Sequence, residues 1–319
     1  MSSAQSTSPG AGEIDVRDAF FEEVCRRALA DRKIIVLTDD QGAMSLQQLR
    51  QERPEQYINV GIAEQNVIDV AAGMALGGMR PIVYGITNFV SLRCAEQISV
   101  SMCLMDLPVT IVASGGGLTY ASDGPTHHAT QDIALLRAMP GMTIFNPADA
   151  IATAAAARDC LVAMHPCYVR IEKGRLPQLY AESHKFSEGM ELLRPGHNVL
   201  IVSSGFLVHT AMMVAGMVGQ KGIAAGVLDL YRPKPVDLTK LAGILAAAEK
   251  IVVIEEQSPM GGIFSLVAET LAETGLARPV KRFSLPDAPC YHYGSREWLH
   301  REMSLSAGQI ADAILSPAP

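Results

Sequence analysis

Aromatic side chains are scarce in this chain. Phenylalanine, tyrosine and tryptophan make up 5% of it, with a single tryptophan, while aliphatic residues carry a composition that is 49% hydrophobic. Such a supply suits close-packed layers of helix and sheet better than a β-sandwich. Paired cysteines are missing too. The six (Cys25, Cys94, Cys103, Cys160, Cys167, Cys290) are scattered, with no Cys-x-x-Cys and no histidine cluster at zinc spacing, so they read as buried free thiols of a reducing cytoplasm. No apolar run reaches the roughly 20 residues of a membrane span. Acidic residues outnumber basic ones, 33 to 26, which leaves no electrostatic footprint for nucleic acid. Residues 1–12 are rich in Ser, Gly and Pro without an apolar core, and read as a disordered tail rather than a signal peptide. The expectation is a soluble cytoplasmic protein.

What is present alternates between short β-rich runs and helical periods, so the fold class expected is α/β, in two domains each built on a mostly parallel sheet flanked by helices. Residues 13–175 form the first domain, 176–194 a linker and 195–317 the second. In the first, a helix over 16–30 precedes a strand at 34–38 that ends in the polar turn Asp39-Asp-Gln-Gly42. A strand at 57–60 turns at Gly61 into a helix over 63–76, which places Glu64 in the first helical turn just past a strand end. Ligands bind at such places in parallel α/β sheets. A carboxylate there also answers the helix dipole, a modest and common role. Further strands are expected at 80–86, 108–113 and 166–171, with helices at 92–105, 131–138 and 148–164. The second domain is expected to hold four strands, at 198–203, 225–230, 251–256 and 280–284, with helices between them. Glu255 and Glu256 lie at a strand end, and a metal role for them is disfavoured.

Three stretches carry chemistry. Val60-Gly-Ile-Ala-Glu-Gln-Asn66 surrounds Glu64. Ser114-Gly-Gly-Gly117 follows a strand and is a weak phosphate cradle. Ser122-Asp-Gly-Pro-Thr-His-His128 packs an acid and two histidines into one turn, a combination suited to acid–base work, although loop histidines are commonly just solvated. The first and third stretches, with Asp132-Ile-Ala-Leu-Leu-Arg137 and Asn146-Pro-Ala-Asp149, resemble the transketolase family of thiamine-diphosphate enzymes. The likeness runs over about 14–316 and extends to Asp229-Leu-Tyr-Arg-Pro-Lys-Pro-Val-Asp237 and Val253-Ile-Glu-Glu256 in the second domain.

The resemblance implies that Glu64 hydrogen-bonds the cofactor's aminopyrimidine ring and drives the tautomer change that activates it. It places Asp123 and His127 over the reacting carbons, on substrate hydroxyls, and gives His128 no role. Phe89 is the aromatic offered for stacking, one position from the site where the family's aromatic is expected, and Asp39 and Ile62 join Glu64 around the cofactor. Arg170 and Arg17 become phosphate anchors; for Arg170 an ordinary surface salt bridge is the other reading. Gly115 stands where full-length members place a substrate-binding histidine, which points to a non-standard sugar phosphate without naming one.

Transketolases bind the cofactor's diphosphate and Mg2+ through a Gly-Asp-Gly motif, and this sequence has none. A divalent cation needs a set of oxygen ligands, so the resemblance implies a partner chain that carries the Gly-Asp-Gly domain, in an α2β2 heterotetramer. The implied activity is the C-terminal half of a split transketolase, moving a two-carbon glycolaldehyde unit from a ketose to an aldose, with specialised donors such as apulose 4-phosphate in view. The alternatives are the β subunit of the first (E1) component of a 2-oxo acid dehydrogenase, which lacks the Asp-Gly-Pro-Thr-His loop, and a non-catalytic assembly subunit. Deoxyxylulose-phosphate synthase shares the loop but is a single long chain.

Overall fold

The computed structural model describes residues 15–316, so the tail expected over 1–12 lies outside the described residues. The first sheet contains β1 (Ile34–Thr38), β2 (Tyr57–Asn59), β3 (Arg80–Ile86), β4 (Thr110–Ser114), β5 (Thr143–Phe145) and β6 (Cys167–Ile171). They lie in the order β2-β1-β3-β4-β6-β5, every pair parallel. β1, β4 and β6 are buried along their whole length, as strands covered on both faces must be. Helix α1 (Val16–Ala30) packs on one side and α3 (Glu64–Leu76) on the other, with α2 (Gln47–Glu52) beyond β1. After β1 the chain moves outward to β2, and after β3 it moves the opposite way to β4. The crevice between the carboxyl ends of β1 and β3 is therefore the switch point of the sheet, where open α/β folds receive ligands.

The helix expected over 92–105 is not continuous. A short helix α4 (Thr87–Val90) precedes it, and the expected range itself is a 3-10 turn at Leu92–Cys94, α5 (Ala95–Gln97) and a π-helical turn at Ile98–Cys103. The apolar spacing is kept, since Cys94, Ile98 and Met102 are all buried. What changes is the hydrogen-bond ladder, which tightens and then widens. Helices α6 (Asp132–Arg137) and α7 (Ala150–Val162) complete this half.

The second sheet runs β11-β10-β8-β9-β7, from β7 (Glu191–Arg194), β8 (Val199–Ser203), β9 (Ala225–Asp229), β10 (Lys250–Ile254) and β11 (Val280–Phe283). Four strands are parallel, and β7 joins the edge antiparallel to β9. β7 lies within the range read as linker, whose last residues thus belong to the second sheet. Helices α8 (Leu207–Gly219), α9 (Leu238–Ala246) and α10 (Ile263–Thr274) cover it. Beyond the last expected strand come α11 (Arg296–Glu302) and α12 (Ala307–Leu315). α12 buries Ile310, Ala311 and Ile314 in the core formed with α8.

The two halves are bonded directly to each other. Ile144 N–H donates to the Lys234 carbonyl at 2.8 Å and Asn146 N–H to that of Tyr231 at 2.9 Å. The crossing segment is pinned as well. Asp149, fully buried, caps α7 by accepting from Ala152 N–H at 2.8 Å, while its other oxygen accepts from Leu179 N–H at 2.8 Å and Tyr180 N–H at 2.9 Å.

Candidate active site

Gly61 adopts φ +74°, and Ala63 is still non-helical, so α3 begins at Glu64 with the carboxylate turned into the crevice. Glu64 is only 4% exposed and pairs through Oε1 with Arg93 Nη1 at 2.8 Å, whereas Arg93 itself is 44% exposed. Asp39, from the turn after β1, is buried beside them. Gly85 makes room for it: a Cβ there would run into the Asp39 carboxyl. One Asp39 oxygen has no hydrogen-bond partner. Burial, reinforced by the neighbouring Glu64 carboxylate, pushes the Asp39 carboxyl up to about 7. The same two causes push the Cys94 thiol up to about 12, leaving it an unreactive core residue.

Phe89 forms one wall. The Arg93 guanidinium lies 4.3 Å from its ring centroid, and the His127 imidazole meets it edge-on at 5.0 Å. Asn88, next to Phe89, donates to the Thr126 carbonyl at 2.7 Å and so ties α4 to the histidine loop. Ile62, at 76% exposure, is an apolar side chain left bare at the lip.

The loop from 119 to 128 is closed at its base by a reciprocal pair of backbone bonds between Gly117 and Ala129, both 2.9 Å. Two turns then shape it, Asp123 N–H to the Tyr120 carbonyl and His127 N–H to that of Gly124, each 3.0 Å. Asp123 is exposed, and His127 shares a 3.0 Å hydrogen bond through Nδ1 with the Thr126 hydroxyl. His128 turns inward and is buried, which lowers its pKa and favours the neutral ring. Gly115 has φ +83°, and the Tyr120 ring fills the space that a side chain on it would need.

Arg170 is placed differently from either expectation. It is neither a surface arginine nor open at the crevice: it is buried beneath the loop, donating from Nε to Asp132 at 2.9 Å and from Nη2 to the Ala129 carbonyl at 3.2 Å. Asp132, fully buried, also accepts from the Tyr168 hydroxyl at 2.7 Å and from Gln257 at 2.9 Å. A buried carboxylate demands such company, and Arg170 supplies its countercharge. Arg17 lies 3.4 Å from Asp18 and beside the Tyr84 phenol, with a buried Nε that has no partner.

Glu64, Asp39, Phe89 and His127 are thus brought to one crevice, with Ile62 and Asp123 at its edge. Arg93, Asn88 and Tyr120 were not singled out from sequence. Arg93 falls at the start of the helix expected over 92–105 and Asn88 in the gap before it, and nothing in the spacing marks the turn that folds Arg93 back onto Glu64. Tyr120 sits in a loop of recognised residues, and the adjacent glycine run was the available signal of a close approach.

A second constellation lies where the sheets meet. Glu172, after β6, and Glu256, after β10, are buried and share Arg296 from α11. Arg296 Nη1 is 2.8 Å from Glu172 and its Nε 2.9 Å from Glu256, while His300 also bonds Glu256. The guanidinium lies 3.8 Å from the Phe206 ring centroid, and Thr119 donates to Glu172 at 2.7 Å. Burial works against the Glu256 carboxylate, but Arg296 and His300 hold it well below the usual range. Among the described residues there is no group of three or more His, Cys, Asp or Glu placed to hold a metal, and no helix is long and apolar enough to cross a membrane.

The chain resembles known proteins over both of its halves. Residues 12–178 match the family model "Transketolase, pyrimidine binding domain" and residues 188–310 match "Transketolase, C-terminal domain". The chain is 33% identical to one of the subunits of the apulose-4-phosphate transketolase of Phocaeicola vulgatus, over 89% of this chain and 91% of that one. It is 32% identical to the 6-deoxy-6-sulfo-D-fructose transketolase subunit SqwH of a Clostridium species, over 93% and 92%. The 1-deoxy-D-xylulose-5-phosphate synthase of Gloeothece citriformis is 34% identical, but this chain spans only 49% of its length. A solved structure described as "Split gene transketolase, inactive beta4 tetramer" superposes with a TM-score of 0.86 at 31% identity, covering 94% of this chain and 97% of that one. The chain belongs to the transketolase family, of which it carries the pyrimidine-binding and C-terminal domains.

Proposed function

We propose that this chain is the C-terminal subunit of a split, thiamine-diphosphate-dependent transketolase, cytoplasmic and active only when a partner chain supplies the diphosphate- and Mg2+-binding domain. The observation that carries the reading is Glu64: a buried carboxylate at the switch point of a parallel sheet, flanked by an aromatic ring and by a loop with an exposed acid and a histidine. The crevice suits an aminopyrimidine ring. Phe89 and the bare Ile62 offer apolar contact, Glu64 a carboxylate, and the unpartnered Asp39 oxygen an acceptor. The cofactor supplies the nucleophilic carbon and the electron sink for breaking the bond beside a ketose carbonyl.

The chain's own residues bind and move protons. Glu64 would hold the pyrimidine and exchange a proton with its ring nitrogen, while Arg93, paired with Oε1, orients the carboxylate. Asp123 and His127 hydrogen-bond the hydroxyls next to the bond that breaks, which orients the donor and excludes unproductive poses. Phe89 and Asn88 hold the histidine loop over the ring. Arg17 steers the anionic end of the sugar. Arg170 acts beneath the loop, as the countercharge that fixes its base. The relatives' names point to donors with an anionic end, apulose 4-phosphate among them. With no metal-ligand cluster in the described residues and no Gly-Asp-Gly in the sequence, the partner brings the cation, in an α2β2 assembly.

Titration of the chain with thiamine diphosphate and Mg2+, alone and mixed with a Gly-Asp-Gly-bearing chain, tests this, with native mass recorded in both states. Binding only in the mixture, at a mass of two copies of each chain, is the expected result. Tight binding by this chain alone would overturn the split-site reading. Pyruvate consumption with CO2 release in place of ketol transfer would move the assignment toward the synthase relatives.

A further inference from the structure

The loop that carries Asp123 and His127 is anchored in the second domain as well as in its own. Leu118 and Ala121 are buried in an apolar cluster with Leu285, Cys290, Leu299 and Leu305, all from the far end of the chain. Thr119, between them, donates to Glu172, which Arg296 of α11 holds. Further along the loop this close packing gives way. Pro125 and His128 border a cavity of about 340 Å³ whose opposite wall is the stretch 285–290. Beyond it the two domains meet again, at Tyr293. A Cβ on Gly124, which has φ +81°, would come within 2.7 Å of the Tyr293 Cε1, Cζ and hydroxyl oxygen. The ring is otherwise bare, since Tyr293 is 65% exposed. The segment that presents it is fixed. His292 meets the Trp298 ring edge-on at 5.8 Å, Gly294 lies against the same indole, and Ser295 caps α11 by accepting from Trp298 N–H at 3.2 Å.

We infer that Tyr293, a residue of the second domain, is a positioning residue for ketol transfer: its ring braces the turn at Gly124 and so sets where Asp123 and His127 meet the substrate hydroxyls. On the transketolase reading, on which this rests, the C-terminal domain thereby takes part in the reaction through the loop it holds. The turn needs a brace. Gly124 is free to adopt many backbone angles, and the cavity beside Pro125 gives the loop space to sink into. A misplacement of about 1 Å in groups that orient a substrate costs on the order of 10²-fold in rate. A ring packed on the glycine opposes that shift by contact alone, and the phenol hydroxyl is not needed for it. Gly124 is therefore required twice, by its backbone angle and by the ring against it. Because most of Tyr293 faces solvent, the brace can be removed without opening the core.

The test uses the reconstituted complex and a ketose phosphate donor such as xylulose 5-phosphate. Tyr293→Ala should lower kcat/KM by about 10- to 100-fold. Apparent affinity for thiamine diphosphate should stay within about twofold, and the melting temperature within about 2 °C, because the side chain buries little surface. Tyr293→Phe keeps the ring and should stay within about threefold of wild type. In a His127→Ala background the further loss from Tyr293→Ala should be smaller by at least about threefold, since both changes act through one loop. An unchanged kcat/KM in Tyr293→Ala would overturn the inference. So would a loss matched in cofactor affinity or melting temperature, or one repeated in full in the His127→Ala background. If the wild-type complex transfers from no ketose, the transketolase reading has failed, and hydrogen exchange in the full chain decides the brace by itself. The Asp123 and His127 N–H groups are bonded within the loop at 3.0 Å each. Their exchange should be at least about tenfold faster in Tyr293→Ala, with α6 unchanged, and unchanged exchange at both would remove the brace.

Discussion

The crevice at β1 and β3 and the junction at β6 and β10 are built from the same parts, a buried glutamate past a strand end and an arginine reaching in. They differ in how completely those parts are satisfied. At the junction, Glu256 has Arg296 and His300, Glu172 has Arg296 and Thr119, and Phe206 covers the guanidinium. At the crevice, Asp39 has a free oxygen, Arg93 is nearly half exposed, and Ile62 faces outward. A carboxylate at a strand end is thus not in itself a site. A closed set of partners makes a lock, and an open set, with apolar surface beside it, leaves room for a ligand.

Substitutions can break that contrast. Glu64→Gln keeps the shape of the crevice, and ketol transfer by the complex should fall about 10²- to 10⁴-fold, the range for a lost acid–base group; a loss below tenfold would make Glu64 one more structural carboxylate. At the junction, Arg296→Met strands two buried carboxylates and should cost about 3–5 kcal/mol in urea unfolding. A cost under about 1 kcal/mol would show the junction to be as loosely held as the crevice.

The junction also has a pH signature. The folded-state pKa of Glu256 is lowered, so its contribution is present above the unfolded value of about 4.3 and is lost as pH falls through the folded one. Stability curves of wild type and Glu256→Gln should therefore converge in acid. Asp39 has the opposite sign. Its folded pKa is raised to about 7, so its unfavourable contribution begins above the unfolded value of about 3.9 and grows until about pH 7. Relative to wild type, Asp39→Asn should gain about 2–4 kcal/mol between about pH 4 and about pH 8; the amide's unpartnered buried atom adds a pH-independent cost, so near about pH 4 the variant should be the less stable of the two by about 1–3 kcal/mol. A constant difference across that range would remove the titration as its cause. The smallest effect is expected of Phe89→Ala, about a tenfold weaker apparent affinity for thiamine diphosphate in the complex. No change would place the stacking surface elsewhere.

Much of this was readable in the chain itself. The strand Ile34–Thr38 and the helix Val16–Ala30 occur at the bounds that apolar spacing marks, and Glu64 falls in the first turn of its helix because Gly61 and the preceding short strand are local signals. The α/β class follows from alternating periods. What spacing cannot carry is the contact between distant residues. Arg170 was read from its position at a strand end, yet its environment is set by Asp132, 38 positions earlier. Arg296 meets Glu172 across 124 positions. The π-helical turn at Ile98–Cys103 was hidden for a different reason: its buried residues keep a helical spacing, so only the hydrogen bonds reveal it.

Asp149 has a consequence for how such a protein can be divided. One of its oxygens starts a helix of the first domain, and the other holds Leu179 and Tyr180 as the chain crosses to the second. The crossing is therefore an internal brace, as much a part of the first domain's architecture as of the path out of it. A cut at this crossing would serve such a protein poorly. Each fragment would leave with half of a buried hydrogen-bond set, and reassembly would have to restore a carboxylate's partners before it could restore a surface.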